Sequence, residues 1–257
     1  MAKRPWIGTS WKMNKVRAEA RAYAEALKTS PLVGMAAARL FVVPPFPYIA
    51  DVAGILDGSG VMVGAQNMHW ADAGAWTGEV SPLMVRDCGA TLVEIGHSER
   101  REHFGETDDS VARKVEAAMR HGLLALVCVG DTRAEYAAGE TAVVLARQVR
   151  AALSRIEPPQ ATGVLLAYEP VWSIGEGGTP ADPGFADEQQ RLVKAVTREA
   201  VGRELDVLYG GSVNPGNAVG LASRPHVDGL FIGRSAWTAE GYLGIVRDVT
   251  ESLGRPD

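Results

Sequence analysis

The sequence has few cysteines, no long apolar run and no excess of basic residues. Its 257 residues include only Cys88 and Cys128, with no CxxC or Cys/His spacing, which argues against a disulfide framework or a zinc site. At a net charge of -5 it lacks the clustered Lys and Arg that a sequence-independent grip on nucleic acid requires. We therefore expect neither a bound metal nor a nucleic-acid partner.

Segments that could enter or cross a membrane are also missing. The apolar run Leu123–Val129 has the length of a strand and is too short to span a bilayer. Pro5, Trp6 and Gly8 interrupt what would have to be the apolar core of a signal peptide. Together with the small number of thiols, this predicts a protein of the reducing cytoplasm with no membrane partner.

What the sequence does contain is a series of short apolar runs, each followed by an amphipathic stretch. The spacing is roughly thirty residues, the size of one βα unit. The predicted strands are Trp6–Thr9, Leu40–Val43, Val61–Ala65, Thr91–Ile95, Leu124–Val129, Val164–Tyr168, Asp206–Tyr209 and Gly229–Ile232. The predicted helices include Ala18–Leu27, Asp109–Arg120, Thr141–Ser154 and Asp187–Ala200.

This alternation predicts the fold class. Strands that alternate with helices form a parallel sheet, and strands this apolar are covered on both faces. Eight such units in about 250 residues fit an α/β single-domain (β/α)8 barrel over residues 1–257, since no linker or composition break divides the chain. The alternative is a doubly wound open sheet, but its usual Gly-rich dinucleotide turn after an early strand is not present in convincing form.

Polar residues that directly follow strands are the candidates for chemistry, because barrel active sites lie at the carboxyl ends of the strands. Lys12 follows the first predicted strand, His97 the fourth and Glu169 the sixth. A lone Glu at a strand end is more often a solvated surface group. A base, an electrophile and a fixed cation together are what proton abstraction next to a carbonyl requires, so these three residues predict an enediolate reaction with Glu169 as the base.

Two glycine-rich strand ends predict a phosphate site. Gly210-Gly211-Ser212 follows the seventh strand and Gly233-Arg234-Ser235 the eighth, the two loops that commonly bind phosphate in barrels. The alternative for each is an ordinary tight turn. The segment Ile174–Thr179, shortly after Glu169, is interpreted as a lid that excludes water from the reaction, the alternative being a disordered loop.

Five stretches, in order, resemble the triosephosphate isomerase family over nearly the whole chain. They are Trp11-Lys12-Met13-Asn14, Gly64-Ala65-Gln66-Asn67, Gly96-His97-Ser98-Glu99-Arg100-Arg101, Tyr168-Glu169-Pro170-Val171-Trp172 and Tyr209-Gly210-Gly211-Ser212-Val213. The resemblance implies an isomerase without a cofactor, with Lys12 as electrostatic group, His97 as neutral electrophile, Glu99 as its supporting carboxylate and Glu169 as base. It also implies that the phosphate is held by Gly175, Ser212, Gly233 and the N–H of Arg234.

The resemblance further implies a homodimer in which the loop Gln66–Ser81 docks on the partner subunit. This loop carries Met68, Trp70 and Trp76, large apolar groups that favour a buried interface. Thr77 matches the family residue that reaches toward the partner's active site. Packing within one subunit is the alternative for these side chains.

Departures from the family pattern indicate the substrate. Thr9-Ser10 stands where the family has Gly-Asn, Arg234 replaces a second glycine, and Glu176 and Gly178 replace the usual Thr and Lys of the lid. These differences resemble the erythrulose-phosphate isomerase branch, whose tetrulose substrate carries one hydroxymethyl group more than a triose. Ser10, being smaller than Asn, would make room for that group in the substrate site.

Three other functions are alternatives at this point. The chain could be a triosephosphate isomerase of glycolysis and gluconeogenesis, or an inactive barrel that binds phosphate, although a pure binder gains nothing from a base such as Glu169. A Schiff-base aldolase is disfavoured because the sixth strand ends in Glu169 rather than in Lys.

Overall fold

The computed structural model describes residues 4–175 and 178–254, and within them eight strands close into a parallel barrel. Each strand pairs with the next along the chain, and the eighth returns to pair with the first. This closure confirms the predicted (β/α)8 barrel and rules out the open sheet. The strands are β1 Trp6–Ser10, β2 Arg39–Val43, β3 Met62–Ala65, β4 Leu92–Ile95, β5 Leu124–Val129, β6 Val164–Tyr168, β7 Val207–Tyr209 and β8 Gly229–Ile232.

Helices surround the barrel, and the part of the chain that the structure describes contains eleven α-helices. They are α1 Arg17–Thr29, α2 Pro31–Met35, α3 Ile49–Leu56, α4 Pro82–Asp87, α5 Ser98–His103, α6 Asp108–Arg120, α7 Arg133–Ala137, α8 Thr141–Leu153, α9 Pro183–Val201, α10 Ala218–Ala222 and α11 Ala239–Leu253. The four predicted helices correspond to α1, α6, α8 and α9. Among residues 4–175 and 178–254, no helix combines the length and the apolar character needed to span a membrane.

Two apolar layers explain why the strands are uninterrupted apolar runs. Phe41 and Val43 of β2 pack with the side chains that fill the barrel interior. Leu40 and Val42 belong to the layer between the strands and the helices. Because both faces are buried, the strands need apolar residues at every position rather than at every second one. Gly8 is required opposite Phe41, since a Cβ there would lie 2.0 Å from the Phe41 ring.

The start of α9 differs from its prediction. The helix begins at Pro183, four residues before the predicted Asp187, and ends at Val201. Asp182 caps it by accepting hydrogen bonds from the backbone N–H groups of Gly184 and Phe185. A capping carboxylate followed by Pro at the first helical position is a strong start signal that outweighs the weak periodicity of the first turn.

The barrel positions the candidate residues at one end. Since all eight strands are parallel, their carboxyl ends open on the same mouth. The loops that follow β1, β4, β6, β7 and β8 therefore surround one region, although the segments they belong to are separated by up to about two hundred residues.

Candidate active site

Lys12, His97 and Glu169 lie around one pocket at the barrel mouth. The His97 Nε2 atom is 3.4 Å from Glu169 Oε1. Lys12 and the backbone of Ser10 enter the pocket from the end of β1. The structure thus brings together the three groups that the sequence separates by more than 150 positions.

Glu169 follows β6 directly and is 2% exposed. Its Oε2 accepts a hydrogen bond of 3.3 Å from the backbone N–H of Ser98. This is a long bond, so it holds the carboxylate weakly. Two glycines leave room for Glu169: a Cβ at Gly210 would lie 2.9 Å from its Cγ, and a Cβ at Gly130 would lie 1.8 Å from its carbonyl oxygen. The carboxylate is therefore buried at the pocket with little restraint from the Ser98 N–H.

His97 caps the N-terminus of α5, and this fixes its tautomer. The Nδ1 atom accepts a hydrogen bond of 3.1 Å from the backbone N–H of Glu99. A ring nitrogen that accepts carries no proton, so the proton of the neutral ring is on Nε2. That N–H faces Glu169 and the pocket, where it can donate to a substrate oxygen.

The partner of Glu99 differs from the expectation. Sequence reasoning assigned this carboxylate to His97, but its Oε1 lies 2.6 Å from Lys12 Nζ, while Oε2 is 3.7 Å from His97 Nδ1. Burial opposes ionisation, but the hydrogen bond and ion pair with Lys12 outweigh it and lower the pKa of Glu99. Glu99 lies in the first turn of α5. Its backbone N–H donates to His97, and the Glu99 side chain points toward Lys12 in the loop after β1.

Lys12 is held in an unusual backbone conformation. Its φ is +52°, in the left-handed region that residues other than glycine rarely adopt. The Gln66 side chain donates hydrogen bonds to the carbonyl oxygens of Lys12, at 2.9 Å, and of Val43, at 3.1 Å. Such strain persists where the surroundings determine the conformation, and it is common at active sites. The ammonium group is therefore preorganised at the pocket.

The predicted phosphate loops form the other wall of this pocket, which has a volume of about 190 Å³. Ser212, Gly233 and Arg234 line it after β7 and β8, and Gly175 lines it from the predicted lid. The Asn217 amide holds the Ser212 carbonyl oxygen at 2.9 Å. The lid residues Glu176 and Gly177 lie outside the described residues, so the predicted lid stays a prediction.

A second cavity, of about 320 Å³, adjoins the pocket that Ser212 lines. Ser10, Lys12 and His97 line both cavities and so form the boundary between them. The second cavity continues away from Ser212 toward the ends of β1, β3 and β4, where Glu94 lines it. A ligand with its phosphate near Ser212 can therefore extend past the reacting groups.

Glu94, which the sequence reasoning missed, lies at this boundary. It is 2% exposed, and its Oε2 accepts a hydrogen bond of 2.9 Å from the Ser10 hydroxyl. Its Oε1 is 3.9 Å from His97 Nε2. Burial is the main cause that raises the pKa of Glu94 to about 7, the charge of Glu169 adds to it, and His97, Ser10 and Lys12 oppose it. The available signal was a single acidic residue inside the apolar run Thr91–Ile95.

Glu94, Cys128 and Glu169 also form a group whose ligand atoms lie within 4.8 Å of one another. Burial and the two neighbouring carboxylates raise the pKa of the Cys128 thiol well above its ordinary value. A protonated thiol is a poor metal ligand. The protonated thiol therefore makes this group a poor site for a metal ion.

The predicted interface loop is only partly available to a partner. Met68, expected at the interface, is fully buried in the core of its own subunit, and half-buried Trp70 packs against that core. Only the tip of the loop leaves the barrel: Trp76 is 50% exposed and packs against His69 in a tilted arrangement with ring centroids 4.5 Å apart, and Thr77 is exposed. The expectation for Met68 was wrong because the loop folds back over β3 and α6.

The raised pKa of Glu94 predicts a pH-dependent stability. A raised pKa stabilises the native state below the unfolded value of 4.5, and this contribution is lost as pH rises through about 7. Glu94→Gln, which cannot ionise, should therefore gain about 3 kcal/mol of unfolding free energy relative to the unmodified protein between about pH 4 and pH 8.

Urea denaturation of both proteins across this pH range measures the difference. The groups that face Glu94, which are Ser10, Lys12, His97, Cys128 and Glu169, are common to both proteins. The difference between the two profiles therefore measures the titration of Glu94 together with its coupling to these groups. Parallel stability profiles would contradict the assignment of a raised pKa to Glu94.

This mouth matches one class of protein, the barrel isomerases that move a proton between neighbouring carbons of a phosphorylated sugar. Comparison with known proteins narrows the class. Residues 5–249 match the family model described as triosephosphate isomerase. The chain belongs to the triosephosphate isomerase family.

Several relatives match along nearly their whole length and are named L-erythrulose-1-phosphate isomerase. The protein of Rhizobium rhizogenes is 57% identical over 251 residues, covering 97% of this chain and 96% of the relative. That of Brucella abortus is 56% identical over 242 residues, covering 94% of each. That of Mesorhizobium japonicum is 54% identical over 242 residues, covering 94% and 95%. The resemblance to the family and to its erythrulose-phosphate branch is confirmed.

Proposed function

We propose that this chain interconverts L-erythrulose 1-phosphate and D-erythrulose 4-phosphate through an enediolate. The names of relatives that are 54–57% identical support L-erythrulose 1-phosphate as the substrate. The observation that carries the proposal is the continuation of the phosphate pocket into a second cavity past Ser10. A tetrulose phosphate needs this extra space, because its reacting carbon carries a hydroxymethyl group where a triose phosphate carries hydrogen.

The reaction moves one proton between two adjacent carbons. Glu169 takes the proton from the hydroxyl-bearing carbon next to the carbonyl of L-erythrulose 1-phosphate, and the C–H electrons form the double bond of the enediolate. The proton then goes to the former carbonyl carbon, while the hydroxyl proton passes to the former carbonyl oxygen through Nε2 of His97, which gives D-erythrulose 4-phosphate. Atoms and electrons balance without an oxidant or a reductant. The short distance between His97 and Glu169 supports this assignment.

His97 and Lys12 stabilise the negative charge that grows on the substrate oxygens. The Nε2–H of His97 donates to these oxygens, and the Lys12 ammonium supplies the positive charge. Glu99 keeps Lys12 in place through its ion pair. Because these groups are fixed before the charge forms, they favour the transition state over the ground state.

The phosphate is held at the other wall. We assign this role to Gly175, Ser212, Gly233 and Arg234, which line the same pocket as the reacting groups. Backbone N–H groups of glycine-rich turns suit a phosphate because no Cβ obstructs their approach, and nothing lies within 4 Å of a Cβ built at Gly233. Ser10 contacts the opposite end of the substrate.

The chemistry is tested by incubating the enzyme with L-erythrulose 1-phosphate in D2O and following the products by NMR. We expect D-erythrulose 4-phosphate, with deuterium at the carbon that receives the proton, because the acid form of Glu169 exchanges with solvent. No product, or product that never contains deuterium, would contradict the proposal.

We also propose a homodimer through the loop Gln66–Ser81. Met13 and Phe104, 97% and 68% exposed, border the second cavity near Lys12. Exposed apolar groups of this size favour a protein interface. Trp76, at the tip of the loop, is an exposed apolar side chain like Met13 and Phe104. In the dimer, this loop of the partner subunit would bring its Thr77 toward Glu99 and close the cavity.

The dimer gives a testable prediction. Phe104→Glu places a charge in the proposed interface and should raise the Kd of the dimer about 100-fold or more, with loss of activity at low protein concentration. Analytical ultracentrifugation and activity measured against protein concentration check this. Val143→Glu, at an apolar site in α8 that is exposed as well, is the control and should stay dimeric. An unchanged Kd for Phe104→Glu would refute the interface.

We place the protein in the reducing cytoplasm as a single barrel domain over residues 1–257. Cys88 and Cys128 are both free thiols, which supports a reducing compartment. The family model spans almost the whole chain, from residue 5 to 249, which supports one domain.

A further inference from the structure

Glu94 has no part in the proton transfer just described, yet it is buried beside the reacting groups. A buried carboxylate is costly unless hydrogen bonds satisfy it. The Ser10 hydroxyl donates one bond of 2.9 Å to Oε2. Oε1 is 3.9 Å from the nearest ring nitrogen of His97, beyond hydrogen-bond distance. One carboxylate oxygen of Glu94 therefore has capacity for a further donor.

The place of Glu94 indicates which part of a ligand it meets. Glu94 and Ser10 both line the second cavity, and Ser10 also lines the phosphate pocket. The order along the mouth is thus the phosphate loops with Ser212, then Lys12 and His97, then Ser10 and Glu94. A phosphorylated sugar with its reacting carbons beside His97 directs its next carbon toward Glu94.

We propose that Glu94 and Ser10 form the specificity site of this enzyme, in which the Glu94 carboxylate accepts a hydrogen bond from the terminal hydroxyl of a four-carbon substrate. This hydroxyl is on the carbon beyond the two that exchange the proton. The inference rests on the proposed function, because a triose phosphate has no such carbon.

This pair selects the tetrulose in two ways. Above the Glu94 pKa of about 7 the carboxylate is ionised, and a hydrogen bond to a charged acceptor is stronger than one between neutral groups, so the tetrulose gains affinity. A triose brings no hydroxyl to Oε1 of Glu94, and a site built for a hydroxyl rejects analogues that lack it. Burial is the main cause that raises the pKa of Glu94 to about 7 and Glu169 adds to it, although His97, Ser10 and Lys12 oppose the shift.

The test compares two substrates across three proteins. Glu94→Leu removes the acceptor at similar volume, and Glu94→Gln retains a weaker acceptor. For each variant and the unmodified enzyme, kcat/KM is measured with L-erythrulose 1-phosphate and with D-glyceraldehyde 3-phosphate. We expect Glu94→Leu to lower the tetrulose value about 10- to 100-fold and to change the triose value less than about threefold. The tetrulose kcat/KM of Glu94→Gln should lie between those of the unmodified enzyme and Glu94→Leu. Ser10→Ala should lower the ratio of tetrulose to triose kcat/KM by a smaller factor.

The outcomes separate the two proposals. If the unmodified enzyme turns over the triose far better than the tetrulose, the proposed function fails and this inference fails with it. The unmodified enzyme could prefer the tetrulose while Glu94→Leu and Glu94→Gln lower kcat/KM equally for both substrates, or for neither. In that case only the specificity site is overturned. Circular dichroism shows whether each variant is folded. If Glu94→Leu does not fold, the kinetics of Glu94→Gln decide whether the specificity site exists, since Gln preserves the shape of Glu94.

Discussion

Glu169→Asp should lower kcat of the isomerisation by about 100-fold or more and leave KM nearly unchanged. The shorter side chain withdraws the carboxylate by about one bond length from the carbon it must deprotonate. The pocket that binds the phosphate is formed by other loops, so binding is preserved. Glu169 is buried, so water has little access to take over its role as the base.

Steady-state kinetics with the tetrulose phosphate measures this effect. Glu199→Asp, in the exposed part of α9 where Glu199 pairs with Arg150, is the matched control and should behave as the unmodified enzyme. Glu169→Gln, which cannot accept the proton, should have a kcat about tenfold lower than that of Glu169→Asp. An unaltered rate in Glu169→Asp would remove Glu169 as the base.

Lys12→Met should lower kcat/KM about 100- to 1000-fold, with kcat and KM both affected. The substitution retains the length of the side chain and removes the charge that stabilises the enediolate and attracts the phosphate. It also leaves Glu99 without its cation. Since the Glu99 carboxylate is nearly half exposed, water can solvate it, and we expect little loss of stability.

Two controls make this prediction specific. Lys28→Met removes an exposed lysine of α1 and should leave the kinetics unchanged. Lys12→Arg keeps the charge but not its position, because the planar guanidinium cannot occupy the same point, and should recover only part of the loss. If Lys12→Met and Lys28→Met gave equal kinetics, Lys12 would have no electrostatic role in the reaction.

The barrel could be predicted from the sequence because its cause is local. Strands covered on both faces require runs such as Leu124–Val129, and this run has the bounds of β5. The start of α9 was misplaced since its signal, Asp182 followed by Pro183, is a cap rather than a periodic pattern. Elements are thus predictable where the pattern repeats and less so at their ends.

The sequence allowed most residues of the candidate site to be predicted, but not which of their side chains contact one another. Lys12, His97 and Glu169 follow strands, and parallel closure alone brings strand ends together. Which groups then pair depends on side-chain directions, which the sequence does not contain. Glu99 was therefore assigned to His97 although its carboxylate binds Lys12, and Glu94 was passed over as part of a strand. Met68 was placed at an interface although it lies in the core.

The most direct test of the whole account is a crystal structure of the Glu169→Gln variant, which turns over slowly, frozen soon after a brief soak with L-erythrulose 1-phosphate. We predict the phosphate beside Ser212 and Gly233, the enolisable carbon against residue 169, and the terminal hydroxyl within hydrogen-bond distance of Glu94. A phosphate bound away from Ser212 and Gly233, or a sugar in the reverse orientation, would contradict the account.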